Sequence, residues 1–502
     1  MARYKNSDIE EGQSIFLTVN LKEQLLLGTF EYMLNDLVGR KIDVSTFDEN
    51  YKNDKTGSKA IPPEVLIKLI IYGYYKGIKS SRKISDLSKE NVIAKALTGD
   101  MEMHWTTIAD FITRNSEKFK EIFIEVLAYC AELNLIGGET FAGDGRRMSS
   151  NASLDMSGTK EELQKRLLMY KKMADKHVAK HMKRDVLGEL REDKRNYEKR
   201  QKHLKRQIDK ISDFLDSMKT KEGKNAEEIK SNVTDNESAM IYSSKGFIQG
   251  YIGLAVADKK NQIIVNAQAV GTANEGEHLP ELIDNTLSNL KEAGVQAPEG
   301  KKPVFMGDAN YFSEENLRAC EERGVEAVIP DSQYNRRLGG NKERRFEAGD
   351  FTYDKEGDYY ICPYGKRLEY KRTEVLVGTE GKIYEASAKD CGSCLFQDRC
   401  LRAKKHRGRN TRPRKIMITK SSNPNSYCVK MRKKLASEEY QNKYAHRIQI
   451  IEPVFANITH CKGLDRLTLR GRQKVNGQWN LYCIVHNLGK CLNGYNKKRK
   501  AA

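Results

Sequence analysis

Apolar positions in residues 15–135 recur at helical spacing, and from residue 137 onward the period changes. The stretch IPPEVLIKLIIYGYYKGI (61–78) opens on prolines suited to a first helical turn, carries apolar residues three and four apart and closes on Gly77, which predicts a helix. Shorter helices are expected in SSRKISDLSKENVIAKALTG and TTIADFITRNSEKFKEIFIEVLAYCAELNL. From Gly137, GGETFAGDGRRMSSNAS predicts a short strand ending at Asp144. KGFIQGYIGLAVADKKNQIIVNAQAVG (245–271) predicts a hairpin of two apolar strands joined at Asp258 to Asn261. A helix from Glu277 to Glu292, a strand at 304–307, a helix from Ser313 to Arg323 and the strand VEAVIP complete an α/β series in the order β, ββ, α, β, α, β.

Two segments interrupt this series. Within the charged stretch 159–224, Tyr197, Gln201, Leu204, Ile208, Ile211, Leu215 and Met218 alternate at intervals of four and three, the seam of a coiled coil. An antiparallel helical hairpin is expected there, serving as a dimer contact, a DNA backbone contact or a purely structural arm. After Pro330 the chain turns rich in glycine, arginine and cysteine, with Cys362, Cys391, Cys394 and Cys400 inside 39 residues. A C-x-x-C pair can reach one tetrahedral zinc, and Cys-Pro-x-Gly supplies a tight turn around another ligand, so one structural zinc or four reduced thiols fit. The other six cysteines read as small core residues. The basic run LRAKKHRGRNTRPRKIMITK (401–420) suits phosphate contact or a solvated loop.

Composition narrows the class of partner. Among 502 residues, Lys and Arg total 88 against 69 Asp and Glu, and the net charge of +19 favours a polyanion, most simply nucleic acid. Ten cysteines are too few for a disulfide scaffold. No run of eighteen apolar residues and no apolar N-terminal stretch is present, so a cytoplasmic chain without membrane contact is expected. Ser80, Ser81, Arg82 and Lys83 begin a short basic helix that suits a helix-turn-helix reader or a packing helix with a solvated basic face.

The stretch VFMGDANYFSEENL ends an apolar strand on Asp308 before a capped helix. Carboxyl ends of strands in open α/β sheets are where ligands and catalytic groups collect, although a turn aspartate is the other reading. The order of elements, with one aspartate on the first strand and another on the fourth, resembles the RNase H-like fold of DDE transposases. DGRRMSSNAS, SSKGFIQGYIGLAVADKKNQIIV, GDANYFSEENL, YAHRIQIIEPVFANITHCKGLDRLTLRG and LYCIVHNLGK together resemble bacterial insertion-sequence transposases of the branch with an all-helical N-terminal domain.

The resemblance implies a mixed α/β chain with a helical DNA-binding and dimerisation domain (1–135) and an RNase H-like core (136–158, 232–330 and 436–495). A coiled-coil insertion (159–231) and a basic, cysteine-rich, zinc-ribbon-like insertion (331–435) would interrupt that core. It further implies that Asp144, Asp308 and Glu452 hold two Mg2+ or Mn2+ ions, since hard divalent cations take oxygen ligands and a pair of them stabilises both the attacking and the leaving oxygen of a phosphodiester displacement. Arg146, Arg147, Tyr444, Arg447 and Lys462 become DNA contacts. Four residues separate Arg447 from Glu452 where the broader group has three, and Thr459 stands where that group has a lysine. A buried stripe of Tyr444, Ile448, Ile451, Phe455 and Ile458 and a kink at Glu452, the residue before Pro453, are expected on the same helix.

The implied activity is binding of terminal inverted repeats, cleavage by metal-activated water to free 3′-hydroxyls, and joining of those ends to target DNA. A homodimer or higher oligomer associated with the nucleoid would perform it. The alternatives are an RNase H-like nuclease or resolvase without strand transfer, and a non-catalytic zinc-containing DNA-binding protein derived from a transposase.

Overall fold

The computed structural model describes residues 19–51, 59–186, 194–218, 220–223, 227–243, 246–296, 300–338, 346, 348–376, 379–401, 412–419 and 426–501, so residues 402–411 and 420 of the basic run lie outside the described residues. The chain divides into two units, residues 1–114 with 492–502, and residues 115–491.

The first unit is helical: α1 (Phe30–Leu37), α2 (Pro63–Tyr75), α3 (Ser81–Glu90), α4 (Val92–Thr98) and α5 (Trp105–Arg114). Leu66, Ile67, Leu69, Ile70 and Ile71 are all buried, so α2 is apolar around most of its circumference and forms the centre of the unit. Thr29 caps α1 and Asn91 caps α4, each accepting from a backbone N–H of the first turn. Arg82, at the start of the basic helix, stacks on Trp105 with 4.8 Å to the ring centroid.

The second unit begins with α6 (Phe119–Glu132) and contains a sheet of β1 (Thr140–Ser149), β2 (Ala239–Ser243), β3 (Gly246–Asp258), β4 (Ile264–Val270), β5 (Val304–Met306) and β6 (Glu326–Val328). The order is β6-β5-β1-β3, and β4 and β2 share the far edge of β3. Strands β5 and β6 run parallel with β1, whereas β3 is antiparallel to it. The strand expected to stop at Asp144 continues to Ser149, because β3 pairs with it from Phe141↔Asp258 to Ser149↔Gly250. Pairing with β5 ends at Ala142, so β1 carries Asp144 past the end of its parallel neighbour. Strand β2 was not expected from the pattern.

Helix α9 (Leu279–Glu292) packs its apolar stripe near Gly143, whereas Asp144 meets α12 (Glu438–Ala456); neighbouring strand residues thus face different helices. Before α12 come α10 (Glu314–Glu322), capped by Ser313, and α11 (Tyr427–Lys434). Of the expected stripe on α12, Ile451, Phe455 and, in the turn that follows, Ile458 are buried, Tyr444 is half-buried and Ile448 is exposed, and Arg447, Ile450 and Val454 complete the buried face. The helix runs through Pro453 to Ala456 and ends in a π-helical turn over Asn457–Cys461. Proline lacks the N–H that would serve the Gln449 carbonyl, and Gln262 Nε2 donates to that carbonyl at 2.8 Å instead. Helix α13 (Arg472–Ala501) buries Trp479, whose Nε1 donates to the Leu254 carbonyl at 3.0 Å.

Two further segments belong to this unit. Helices α7 (Lys160–Val186) and α8 (Lys194–Ser217) pack on each other, burying Leu163, Leu204 and Ile211. A second, antiparallel sheet follows in chain order, β7 (Thr352–Asp354), β8 (Tyr359–Ile361), β9 (Arg367–Leu376), β10 (Thr379–Ala386) and β11 (Lys415–Thr419). Its core is Phe351, Tyr360, Leu368, Tyr384, Ala386 and Ile416, with Cys362 and Cys391 packed against it. Of the six cysteines expected in the core, Cys130, Cys320, Cys428, Cys483 and Cys491 are buried, and Cys461 is exposed.

Candidate metal centre

Three elements bring carboxylates to one end of the main sheet. Asp144 lies on β1 two residues beyond its last pairing with β5, and Asp308 follows β5 by two residues. Asp308 also caps the turn Ala309–Tyr311, its Oδ1 accepting from the Asn310 N–H at 2.9 Å. The third is Glu275, from the segment between β4 and α9. One ligand oxygen of each of Asp144, Glu275 and Asp308 lies within 4.8 Å of the others, and among the described residues no other group of three His, Cys, Asp or Glu side chains converges in this way.

The local sequence makes room for this approach. A Cβ at residue 145 would lie 1.8 Å from Glu275 Oε2, so glycine after Asp144 is what admits the carboxylate. Asn310 Nδ2 donates to Glu275 Oε1 at 2.6 Å and to Asp308 Oδ2 at 2.9 Å, bridging the two acids. Asn316 Nδ2 donates to the Gly276 and Tyr311 carbonyls at 2.7 and 3.0 Å, which ties the Glu275 segment to the Asp308 turn.

Gathering like charges out of water is unfavourable, and the titration of the acids reflects it. Burial, then the charges of Asp144 and Asp308, push the Glu275 carboxyl up to about 7. Burial and Asp144 raise Asp308, opposed by the Asn310 N–H and by Arg447 and Arg147. Arg447, itself buried, donates from Nη2 to Asp144 Oδ2 at 2.5 Å. Two buried polar atoms nearby lack partners, Arg447 Nε and the Tyr311 hydroxyl, and the charges of all three carboxylates act on that hydroxyl. Converging carboxylate oxygens, held by amide donors and a single close arginine, are a donor set that fits a hard divalent cation.

The structure thus brings Asp144 and Asp308 together but not Glu452, which is exposed on α12 and whose charge acts on Arg447. Tyr444 packs edge-on against Tyr334 at 5.4 Å between centroids. Arg146 and Arg147 are exposed on β1 beyond Asp144. Lys462 is buried at the end of the π-helical turn, so it does not present the exposed cation expected of a DNA contact. Glu275 escaped the sequence reading. In NEGEHLP it is one of two acids in a segment without periodicity, and only the space above Gly145 distinguishes it from Glu277.

Cys362, Cys391, Cys394 and Cys400 are half-buried and free. Backbone N–H groups of Lys366, Arg414 and Phe396 point at the sulfurs of Cys362, Cys391 and Cys394 at 3.3, 3.4 and 3.4 Å. Gly365, with φ of +77°, closes the Cys362 turn. Burial, and further down the neighbouring cysteines, raise the Cys391 thiol and push Cys400 up to about 11, although Arg414 opposes both.

Two family models match the chain, a transposase DDE domain over residues 361–492 and a transposase domain (DUF772) over residues 19–114. No curated protein matches it. The DDE-domain match takes in the cysteines, Tyr444, Arg447 and Glu452, and begins after Asp144, Glu275 and Asp308. The DUF772 match covers α1 to α5. Transposase domain models thus match the chain at both ends, with an acidic triad between the matched segments, and these matches support an insertion-sequence transposase of the DDE type.

Proposed function

We propose that the chain is a DNA transposase with an RNase H-like core, which binds the terminal inverted repeats of its element, frees their 3′-hydroxyl ends and joins them to target DNA. The observation that carries this reading is the convergence of Asp144 and Asp308, with Arg447 brought to Asp144 by a helix of the DDE-matched segment. Strands β1, β3 and β4, antiparallel in succession, and the later β5 and β6, which run parallel with β1, support the RNase H-like assignment. Asp144 and Asp308 would hold Mg2+ or Mn2+, and Glu452, on the helix that carries Arg447, is the further carboxylate the resemblance supplies. When bound, such cations stabilise charge on the attacking and leaving oxygens of a phosphodiester displacement. Arg447 holds Asp144 in place, and exposed Arg146 and Arg147 offer guanidinium groups to DNA phosphates beside the acids.

The test is incubation of the full chain with DNA carrying the element ends and Mg2+. Cleaved and joined products are expected, and Asp308→Asn should bind the ends without cutting them. Cleavage without joined products would make the protein a nuclease or resolvase, and cleavage that survives Asp308→Asn would remove the metal assignment.

A structural zinc on Cys362, Cys391, Cys394 and Cys400 is part of the same proposal, supported by the N–H groups aimed at three of the sulfurs, an arrangement that favours thiolates. No three of these sulfurs lie within 4.8 Å of one another, so zinc would draw them to the separations of about 3.8 Å that follow from tetrahedral Zn–S bonds.

A further inference from the structure

Glu275 is held where a carboxylate is costly. It is 6 % exposed, lies beside two aspartates and has one hydrogen-bond donor, Asn310, on Oε1. Its Oε2 lies over Gly145 and has no hydrogen-bond partner among the described residues. Buried Asp258, by contrast, accepts on both oxygens, from the N–H groups of Gly137, Gly138 and Lys260.

The surroundings of Glu275 are built to keep it in place. Gly276 fits against the Asn310 carbonyl, where a Cβ would come within 2.3 Å, and Asn316 clamps the same turn. Independently of the acids, the Tyr311 hydroxyl is fully buried, unpartnered and within electrostatic reach of all three carboxylates. An open polar group of that kind suits a hydrated cation, which would also relieve the repulsion among the acids.

We propose that Glu275 is a ligand of the divalent cation at this centre, additional to the two strand aspartates and to Glu452. The inference rests on the reading of Asp144 and Asp308 as metal-binding groups. Its chemistry is that of a third oxygen donor presented by a rigid turn, so that part of the site exists before DNA arrives.

Mn2+ binding to the full chain without DNA, followed by electron paramagnetic resonance of the free ion, tests it. Wild-type protein should bind Mn2+ and gain thermal stability from it, and Asp144→Asn should lose both effects. Glu275→Gln should weaken binding about ten- to a hundredfold, with Glu275→Asp in between. Removal of a like charge from the cluster should leave metal-free Glu275→Gln melting at or above the wild-type temperature, which separates lost binding from lost folding. Wild-type Mn2+ affinity in Glu275→Gln, alongside loss in Asp144→Asn, would overturn the role of Glu275 and leave the aspartates standing. Absence of binding by the wild-type chain would overturn the reading of the aspartates, and this inference with it.

Discussion

Arg447 and Asp144, 303 positions apart in the chain, form an ion pair that joins α12 to β1. Both side chains are largely withdrawn from solvent, and Asp144 has two further carboxylates beside it. Loss of the arginine would leave three acids facing one another with Arg147 as the remaining cation acting on them. Arg447→Leu should therefore lower stability by on the order of 3 kcal/mol, read as a lower urea midpoint. Arg447→Lys should recover part of this, because a point charge replaces a fork of donors. Asp144→Asn should cost much less in the Arg447→Leu background than alone, and additive effects would show that the pair contributes no coupling.

Glu452, the further carboxylate that the resemblance supplies, can be tested by activity. Glu452→Gln should reduce Mg2+-dependent cleavage and joining about a thousandfold or more, the scale of removing a charge that acts on the transition state, while end binding persists. Glu438 and Glu439 start the same helix, more than three turns away, and their Gln variants should remain active. Full activity of Glu452→Gln would leave Asp144, Asp308 and Glu275 as the complete set.

What the sequence shows and what it hides divide along physical lines. The β3–β4 hairpin, β5 and the capped α10 were legible because apolar runs and turn residues are local signals. The length of β1 was not, since its partner β3 lies a hundred residues on and its pairing carries the strand past Asp144. In α12 the pattern favours Ile448 for the core, yet the ion pair to Asp144 buries Arg447 and leaves Ile448 in solvent. Pro453 reads as a kink because Gln262, which supplies the missing donor, comes from another element. Glu275 is invisible for the same reason: its place depends on Gly145, from a different strand.

The cysteine insertion can be tested by metal content. Purified protein should carry about one zinc per chain by elemental analysis, and Cys394→Ser should lose it. Chelation should unfold the second sheet, because Cys362 and Cys391 pack on its core of Tyr360, Leu368 and Tyr384. Folded, active protein without zinc would leave these residues as ordinary thiols.

Acid should weaken the second unit through His486. The ring is 2 % exposed, with Nε2 at 3.0 Å from the Gln262 carbonyl oxygen and Nδ1 at 3.1 Å from Asn457 Oδ1, two acceptors of which the neutral ring serves one. Burial, reinforced by Lys490 and Lys462 and opposed by the Gln262 carbonyl, lowers its pKa to about 4. An unfolded histidine titrates near 6.5, so between about 4 and 6.5 the unfolded chain binds the extra proton. The contribution of a neutral His486 is complete above about pH 6.5 and is lost as pH falls toward 4, by on the order of 3 kcal/mol. Glu275 and Asp258, whose pKa values are raised, act in the opposite direction over part of this range, so comparison with a variant is needed. His486→Gln keeps a polar group and removes the titration. Its urea midpoint should fall less between pH 7 and pH 4.5 than that of the wild type, and equal falls would mean that His486 is already protonated in the folded protein.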